Sequence, residues 1–293
     1  MNVKHLVIGS GGLAAFIQYG IVRTLSEKNI INIDDIKTIY SCSCGSIIGT
    51  IMTLGYDYSW VTDYILGRPW HKHIPHIDPF SLFSDSPPKG LYDRNLFTII
   101  FGPLFEAKGI SIDVTLKEMY DVTGIKVVYM TTNLNDDIFE EYSLSYLTHP
   151  DWKVIDAIHA SCAIPPAISP YEIDGGCYID GGVVCQFPYD KCINNEKCEH
   201  SEVLGIYTKM IDCKLEPDNN ILDLFRVIVF KSWKTLNKDS LIDESQGNII
   251  SIDLGEDGRL SRIQTLMDSE SDRRKLIQRG VEYATSFISG LNR

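Results

Sequence analysis

The residues with the most chemistry in this chain are small ones at sharp turns. Ser41-Cys42-Ser43-Cys44-Gly45 follows a β-prone run from Lys37 to Tyr40 and precedes a helix-like run from Ile47 to Leu54. Strand, tight turn and helix, with a serine exposed at the tip, is the layout of a nucleophile elbow. Such a turn demands small side chains two positions before and two after the serine, and Ser41 and Gly45 stand there. The following helix would aim its free N–H groups at the Ser43 oxygen. A plain Ser-rich turn fits the same letters, so Ser43 becomes a nucleophile only if partners face it.

Two other turns could supply partners. Gly9-Ser10-Gly11-Gly12 ends an apolar β run from Val3 to Ile8 and opens a helical pattern from Leu13 to Lys28. Backbone amides in such a turn form a concave array for a phosphate or an oxyanion. The amides of Gly11, Gly12 and Leu13 could face Ser43 from the neighbouring strand as an oxyanion hole. Gly9-x-Gly11-x-x-Ala14 also meets a relaxed dinucleotide fingerprint. That reading wants an acidic residue at the end of the second strand, whereas Asp34 and Asp35 precede it. Further on, Asp-Gly-Gly occurs twice, at Asp174 and Asp180. The first fits a hairpin turn. The second follows a Tyr-Ile strand, where Asp180 could act as a base, orient one, or mark a second hairpin.

Histidines suggest two alternatives. His71, His73 and His76 are close enough for a metal site, but their H-x-H-x-x-H spacing lacks the acidic residue of the usual metallohydrolase pattern and Pro75 disturbs the geometry. A solvated or substrate-facing loop fits them better. Ser43, Asp180 and His200 occur in the chain order of an α/β-hydrolase triad. Against that, the elbow falls after only two strands, and Cys192 to His200 reads as a polar loop. His159, in a helical run from Trp152 to Ser161, reads as structural.

The elements that must position these residues alternate. Strands are expected at Lys126–Asn133, Ile138–Ser143, Val203–Thr208 and Asn248–Leu254, and helices at Asp57–Leu66, Leu116–Thr123, Ile221–Lys234 and Ser271–Leu291. The aromatic stretch from Trp70 to Phe105 could form a mobile apolar cap over a lipid-sized site, or pack as core. The alternation implies an α/β fold with a mainly parallel sheet, in a single domain over residues 1–293. A net charge of −12 argues against nucleic acid and against a purely electrostatic hold on anionic membranes. Eight cysteines without a C-x-x-C pair, and an N-terminus without a signal-peptide core, point to reduced thiols in the cytoplasm. No apolar run is long enough to span a bilayer.

Taken in order, these blocks resemble the patatin-like phospholipase family. Ser10-Gly11-Gly12-Leu13-Ala14-Ala15, Ser41-Cys42-Ser43-Cys44-Gly45, Ala160-Ser161-Cys162-Ala163-Ile164-Pro165 and Asp180-Gly181-Gly182 carry the resemblance, and Lys89-Gly90-Leu91-Tyr92-Asp93 adds to it. It covers a core of about residues 3–188 and, more weakly, a closing segment at 201–291. The resemblance implies a three-layer α/β/α sandwich and a Ser43–Asp180 dyad with an oxyanion hole from Gly11, Gly12 and Leu13. The implied activity is hydrolysis of phospholipid or related lipid esters through an acyl-serine, without metal or cofactor. It also implies a lipid substrate met at a membrane surface, with peripheral attachment, and leaves the oligomeric state open. The chain departs from the family pattern at Ser10, Ala14, Ala15, Ser41 and Gln186, so the second reading is a catalytically weakened patatin-fold protein that binds lipid or a partner.

Overall fold

A computed structural model of the chain describes residues 1–74, 88–209, 214–215, 221–237, 247–255 and 262–291. Among the described residues eight strands form one sheet: β1 (His5–Ile8), β2 (Thr38–Cys42), β3 (Lys126–Asn133), β4 (Glu141–Leu144), β5 (Tyr171–Ile173), β6 (Gly176–Asp180), β7 (Val203–Thr208) and β8 (Asn248–Ile252). The order is β5-β6-β3-β2-β1-β7-β8, with β4 paired to β3 off this path. β3, β2, β1, β7 and β8 run parallel, while β4, β5 and β6 are joined by antiparallel pairings.

Alternation along the strands makes three layers, because successive side chains point to opposite faces. Leu6 and Ile8, Ile39, Val127 and Tyr129 enter the larger core. Val7, Tyr40, Val128 and Met130 enter the smaller one on the other face. Helices α1 (Ala15–Glu27), α2 (Cys44–Thr53), α3 (Tyr58–Gly67) and the short α4 (Trp70–His73) are followed by α5 (Arg94–Glu106) and α6 (Leu116–Thr123). Next come α7 (Val154–Cys162), α8 (Tyr189–Glu196), α9 (Ile221–Leu236), α10 (Arg262–Asp268) and α11 (Glu270–Leu291). The larger core takes apolar residues from α1, α2, α5, α7 and α11, while Tyr189 and Cys192 of α8 cover the smaller. Helices α1 and α11 cross with almost no gap. A Cβ at Gly20 would lie 2.2 Å from the Ile277 carbonyl oxygen, and one at Gly280 would lie 2.2 Å from that of Ile17.

Two expectations need correction. The expected polar loop from Cys192 to His200 begins as the last turns of α8, with Cys192 fully buried. Its polar letters lie on the solvent side, and Tyr189 and Cys192 make the buried side. Of the two readings of the aromatic stretch, core packing holds where it is described: Phe97, Phe101 and Phe105 are fully buried on α5, and Trp70 is buried too. Asp93 starts that helix by accepting the Asn95 amide, and the 97, 101, 105 spacing gives it one apolar stripe. Phe80, Phe83 and His76 fall outside the described residues. Strand β4 begins later than expected, at Glu141. No helix among the described residues is long and apolar enough to cross a membrane.

Candidate active site

The register of β3 brings the two informative turns together. Met130 pairs with Cys42 of β2 on one edge and Ser143 of β4 on the other. The next residue, Thr131, pairs with Tyr142 of β4 and Asp180 of β6. Since β4 holds one edge at both positions, β2 and β6 share the opposite edge. They meet end to end there, because β2 runs with β3 and β6 runs against it. Ser43, which follows Cys42, therefore faces Asp180 although 137 residues separate them. The Ser43 hydroxyl donates to Asp180 Oδ2 at 2.5 Å.

Ser43 sits at φ 54°, ψ −128°, a left-handed conformation that a serine adopts only under constraint. Helix α2 begins at the next residue, so the elbow expected from sequence is present. Gly45 is required by close approach: a Cβ there would stand 2.2 Å from the Ile8 carbonyl oxygen at the end of β1. Ser41, the departure at the tightest point, is accommodated. Its side chain is buried and donates to the Val128 carbonyl at 3.1 Å. Ser46 links it to Ser161, with hydroxyl contacts of 3.2 and 2.8 Å. Ser161 in turn accepts the Ser43 amide at 3.1 Å, and the Cys162 thiol donates to the Ser43 carbonyl at 3.0 Å. The Ala160-Ser161-Cys162 block thus holds the strained backbone of Ser43, a role its letters alone did not disclose.

Asp180 is 2% exposed. Burial pushes its carboxyl up to about 6, while hydrogen bonds from the Ser43 hydroxyl and the Gly182 amide pull the other way. The Gly182 amide reaches Oδ1 at 2.8 Å. The thiols of Cys42, Cys44 and Cys162 surround the pair, and burial raises each well above the ordinary thiol value. They remain neutral and hydrophobic near pH 7.

Gly11, Gly12 and Leu13 sit between β1 and α1, with Gly12–Ala14 forming a short 3₁₀ turn. Amides at such a helix start precede the first intrahelical acceptor. This turn and the elbow are close neighbours: a Cβ at Gly45 would stand 2.8 Å from the Gly9 carbonyl oxygen. Gly11, Gly12, Leu13, Ser43 and Asp180 all line one cavity of about 290 Å³. Elsewhere its wall is mainly apolar: Ile47, Leu96, Phe97 and Ile100 on one side, Phe230 and Trp233 of α9 on another.

The histidines take no part in this arrangement. His200 precedes the N-terminal end of β7, whereas Ser43 follows the C-terminal end of β2. These strands run in the same direction through β1, so the two residues lie at opposite ends of the sheet. His200 instead contacts the Tyr189 hydroxyl through Nδ1 at 3.2 Å. His159 is buried, with Nε2 at 2.8 Å from the Ser169 carbonyl oxygen, as a structural residue. His71 and His73 are exposed on α4, and no metal-holding group of His, Cys, Asp and Glu occurs among the described residues. The first Asp-Gly-Gly is a hairpin turn between β5 and β6, with Asp174 at φ 49° and Gly175 at φ 82°.

Residues 6–193 match the patatin-like phospholipase family, and the chain belongs to it. A probable lipid hydrolase of Invertebrate iridescent virus 6 is 29% identical over 196 residues, which cover 65% of this chain and 63% of that protein. An uncharacterized protein of Acanthamoeba polyphaga mimivirus is 26% identical over 218 residues, covering 69% of this chain and 67% of the other. The chain therefore spans about two thirds of the length of these relatives. Among solved structures, VipD from Legionella pneumophila superposes with a TM-score of 0.57 at 15% identity, covering 99% of this chain and 67% of that one. The likeness extends the shared fold beyond the segment matched by the family.

Proposed function

We propose that this protein is a lipid acyl hydrolase that cleaves carboxylic esters of phospholipids or related lipids with Ser43 as nucleophile and Asp180 as base. The observation that carries the reading is the 2.5 Å hydrogen bond between Ser43 Oγ and the buried Asp180 carboxylate, at a strained elbow opening into an apolar cavity. Asp180 takes the hydroxyl proton as Ser43 Oγ attacks the ester carbonyl carbon. The amides of Gly11, Gly12 and Leu13 stabilise the tetrahedral oxyanion. Collapse releases the alcohol, which regains the proton from Asp180, and leaves acyl-Ser43. Water then adds with Asp180 again as base, and the fatty acid departs. The side chains of Leu96, Phe97 and Ile100 give an acyl chain an apolar wall. Such a substrate is met at a lipid surface, to which the protein would attach peripherally.

The test compares wild type with Ser43→Ala on a short p-nitrophenyl ester and on mixed phospholipid vesicles, with chelator present throughout. Activity that survives chelation and falls at least about 10³-fold in Ser43→Ala is the expected result. Equal rates for the two proteins on every substrate would refute the reading and favour a patatin fold retained for binding.

A further inference from the structure

Asn237 is the residue just beyond the C-terminus of α9, and it is 7% exposed. Its side chain lies against the turn that follows Asp180. The Oδ1 atom accepts the Gln186 amide at 2.8 Å. The Nδ2 atom donates to the Gly182 carbonyl at 3.1 Å and to the Val183 carbonyl at 3.0 Å. The Asn237 backbone amide donates to the Trp233 carbonyl at 2.9 Å and so ties the last turn of α9 to the same point. Gly182, Val183 and Gln186 are buried, and without the side-chain amide their backbone groups would lose hydrogen-bond partners in the interior.

We propose that Asn237 is a positioning residue for the Ser43–Asp180 pair: it fixes the Gly181–Val183 turn, whose Gly182 amide holds the Asp180 carboxylate. The inference rests on the hydrolase reading above for its meaning, but its geometry stands apart from it. The chemistry requires asparagine. Aspartate keeps the acceptor for Gln186 and loses both donors, and leucine fills the volume with neither. Gln186, one of the departures from the family pattern, sits at this junction. Its side chain turns away, donating to the Thr208 carbonyl at 2.7 Å, while its backbone amide is taken up by Asn237. Phe230 and Trp233 of the same helix line the cavity. One helix therefore walls the cavity and anchors the turn that carries the base.

Among the described residues, the ionisable groups nearest Asp180 are the thiols of Cys42, Cys44 and Cys162, all held neutral by burial, and Lys209 lines the same cavity. Asn237 itself is uncharged. Its removal reaches the carboxylate only by loosening the Gly182 amide, and loss of a donor to a carboxylate raises its pKa.

The experiment is a carboxyl-carbon NMR titration of protein labelled with ¹³C at the aspartate side chains, the Asp180 signal being assigned with Asp180→Asn. In Asn237→Ala the Asp180 midpoint is expected to rise by about one pH unit. On a p-nitrophenyl ester, kcat is expected to fall about tenfold with KM nearly unchanged, and the acid limb to follow the midpoint. Asn237→Leu should behave like Asn237→Ala, and it supplies the test if the alanine variant does not fold. Thr235→Ala, on the exposed side of α9, should change nothing. An unmoved midpoint in the Asn237 variants, even with reduced kcat and melting temperature, would overturn the proposal and leave Asn237 a stability residue. The midpoint does not depend on turnover. If wild type hydrolyses no ester and the midpoint still shifts, the positioning role stands and the hydrolase reading fails.

Discussion

Asp180 lies in a site where ionising it is costly. Its carboxyl sits near 6 in the folded chain against an ordinary value of 3.8, so the folded state holds the proton more tightly than the unfolded state. The stability this adds is complete below about pH 4 and is lost as pH rises through 6. By pH 7 the difference of about 2 units corresponds to about 3 kcal/mol of lost stability. On the proposed mechanism activity has the opposite sign, because Asp180 must be ionised to accept the Ser43 proton. The rate on a water-soluble ester should therefore rise with pH and level off above about 7, which a kcat/KM profile checks. Asp180→Asn separates the two effects. It removes the base, with an expected loss of about 10²–10⁴-fold in kcat, and removes the buried charge, raising the melting temperature near pH 7. A melting temperature below wild type at that pH would contradict the assignment of the cost to Asp180. Ser43 and Asp180 stood out in the sequence as candidates because strained turns admit few side chains. Asn237 was not, since a lone asparagine after an amphipathic helix carries no pattern and its partners lie about 50 residues away.

Elements place these residues by register and close approach. The meeting of β2 and β6 on one edge of β3 brings Ser43 and Asp180 together, and the seat of α2 against β1 sets the elbow. Gly45→Ala should disrupt that seat, because its Cβ would meet a backbone carbonyl rather than a side chain able to move. Overpacking of this kind costs about 1–3 kcal/mol, and urea unfolding together with ester hydrolysis should both report it. The crossing of α1 and α11 makes a similar demand at Gly280, but away from the cavity. Gly280→Val should lower stability by a like amount while the folded fraction keeps its kcat. Most strands were legible from their apolar alternation and bounding turns, including the hairpin at Asp174. Helix α5 was not, since Gly102 and Pro103 interrupt a pattern whose aromatic residues also suggest a cap. Helix α8 was hidden for another reason: Asn194, Asn195 and Glu196 make its visible letters polar, while the buried side depends on Tyr189 and Cys192.

At the scale of the molecule, a net charge of −12 shapes any meeting with a lipid surface. Attraction to anionic vesicles cannot come from the overall field, so contact must be apolar or locally basic. Raising salt from about 0.01 to 0.15 M shortens the screening length from about 30 to 8 Å. Sedimentation with anionic vesicles should hold or increase over that range, and release by salt would contradict an apolar mode of contact. The α/β class, the parallel centre of the sheet and the order of the blocks were readable from the chain. How the later segment serves the site was not, because α9 contributes through packing against a turn far earlier in sequence. The most direct test of the dyad is to trap the acyl-enzyme. Protein mixed with a p-nitrophenyl ester, quenched in acid during turnover and digested, should carry the acyl mass on the peptide containing Ser43, and Ser43→Ala should carry none. Turnover with that peptide unmodified, or an acyl mass on another residue that persists in Ser43→Ala, would contradict Ser43 as the nucleophile.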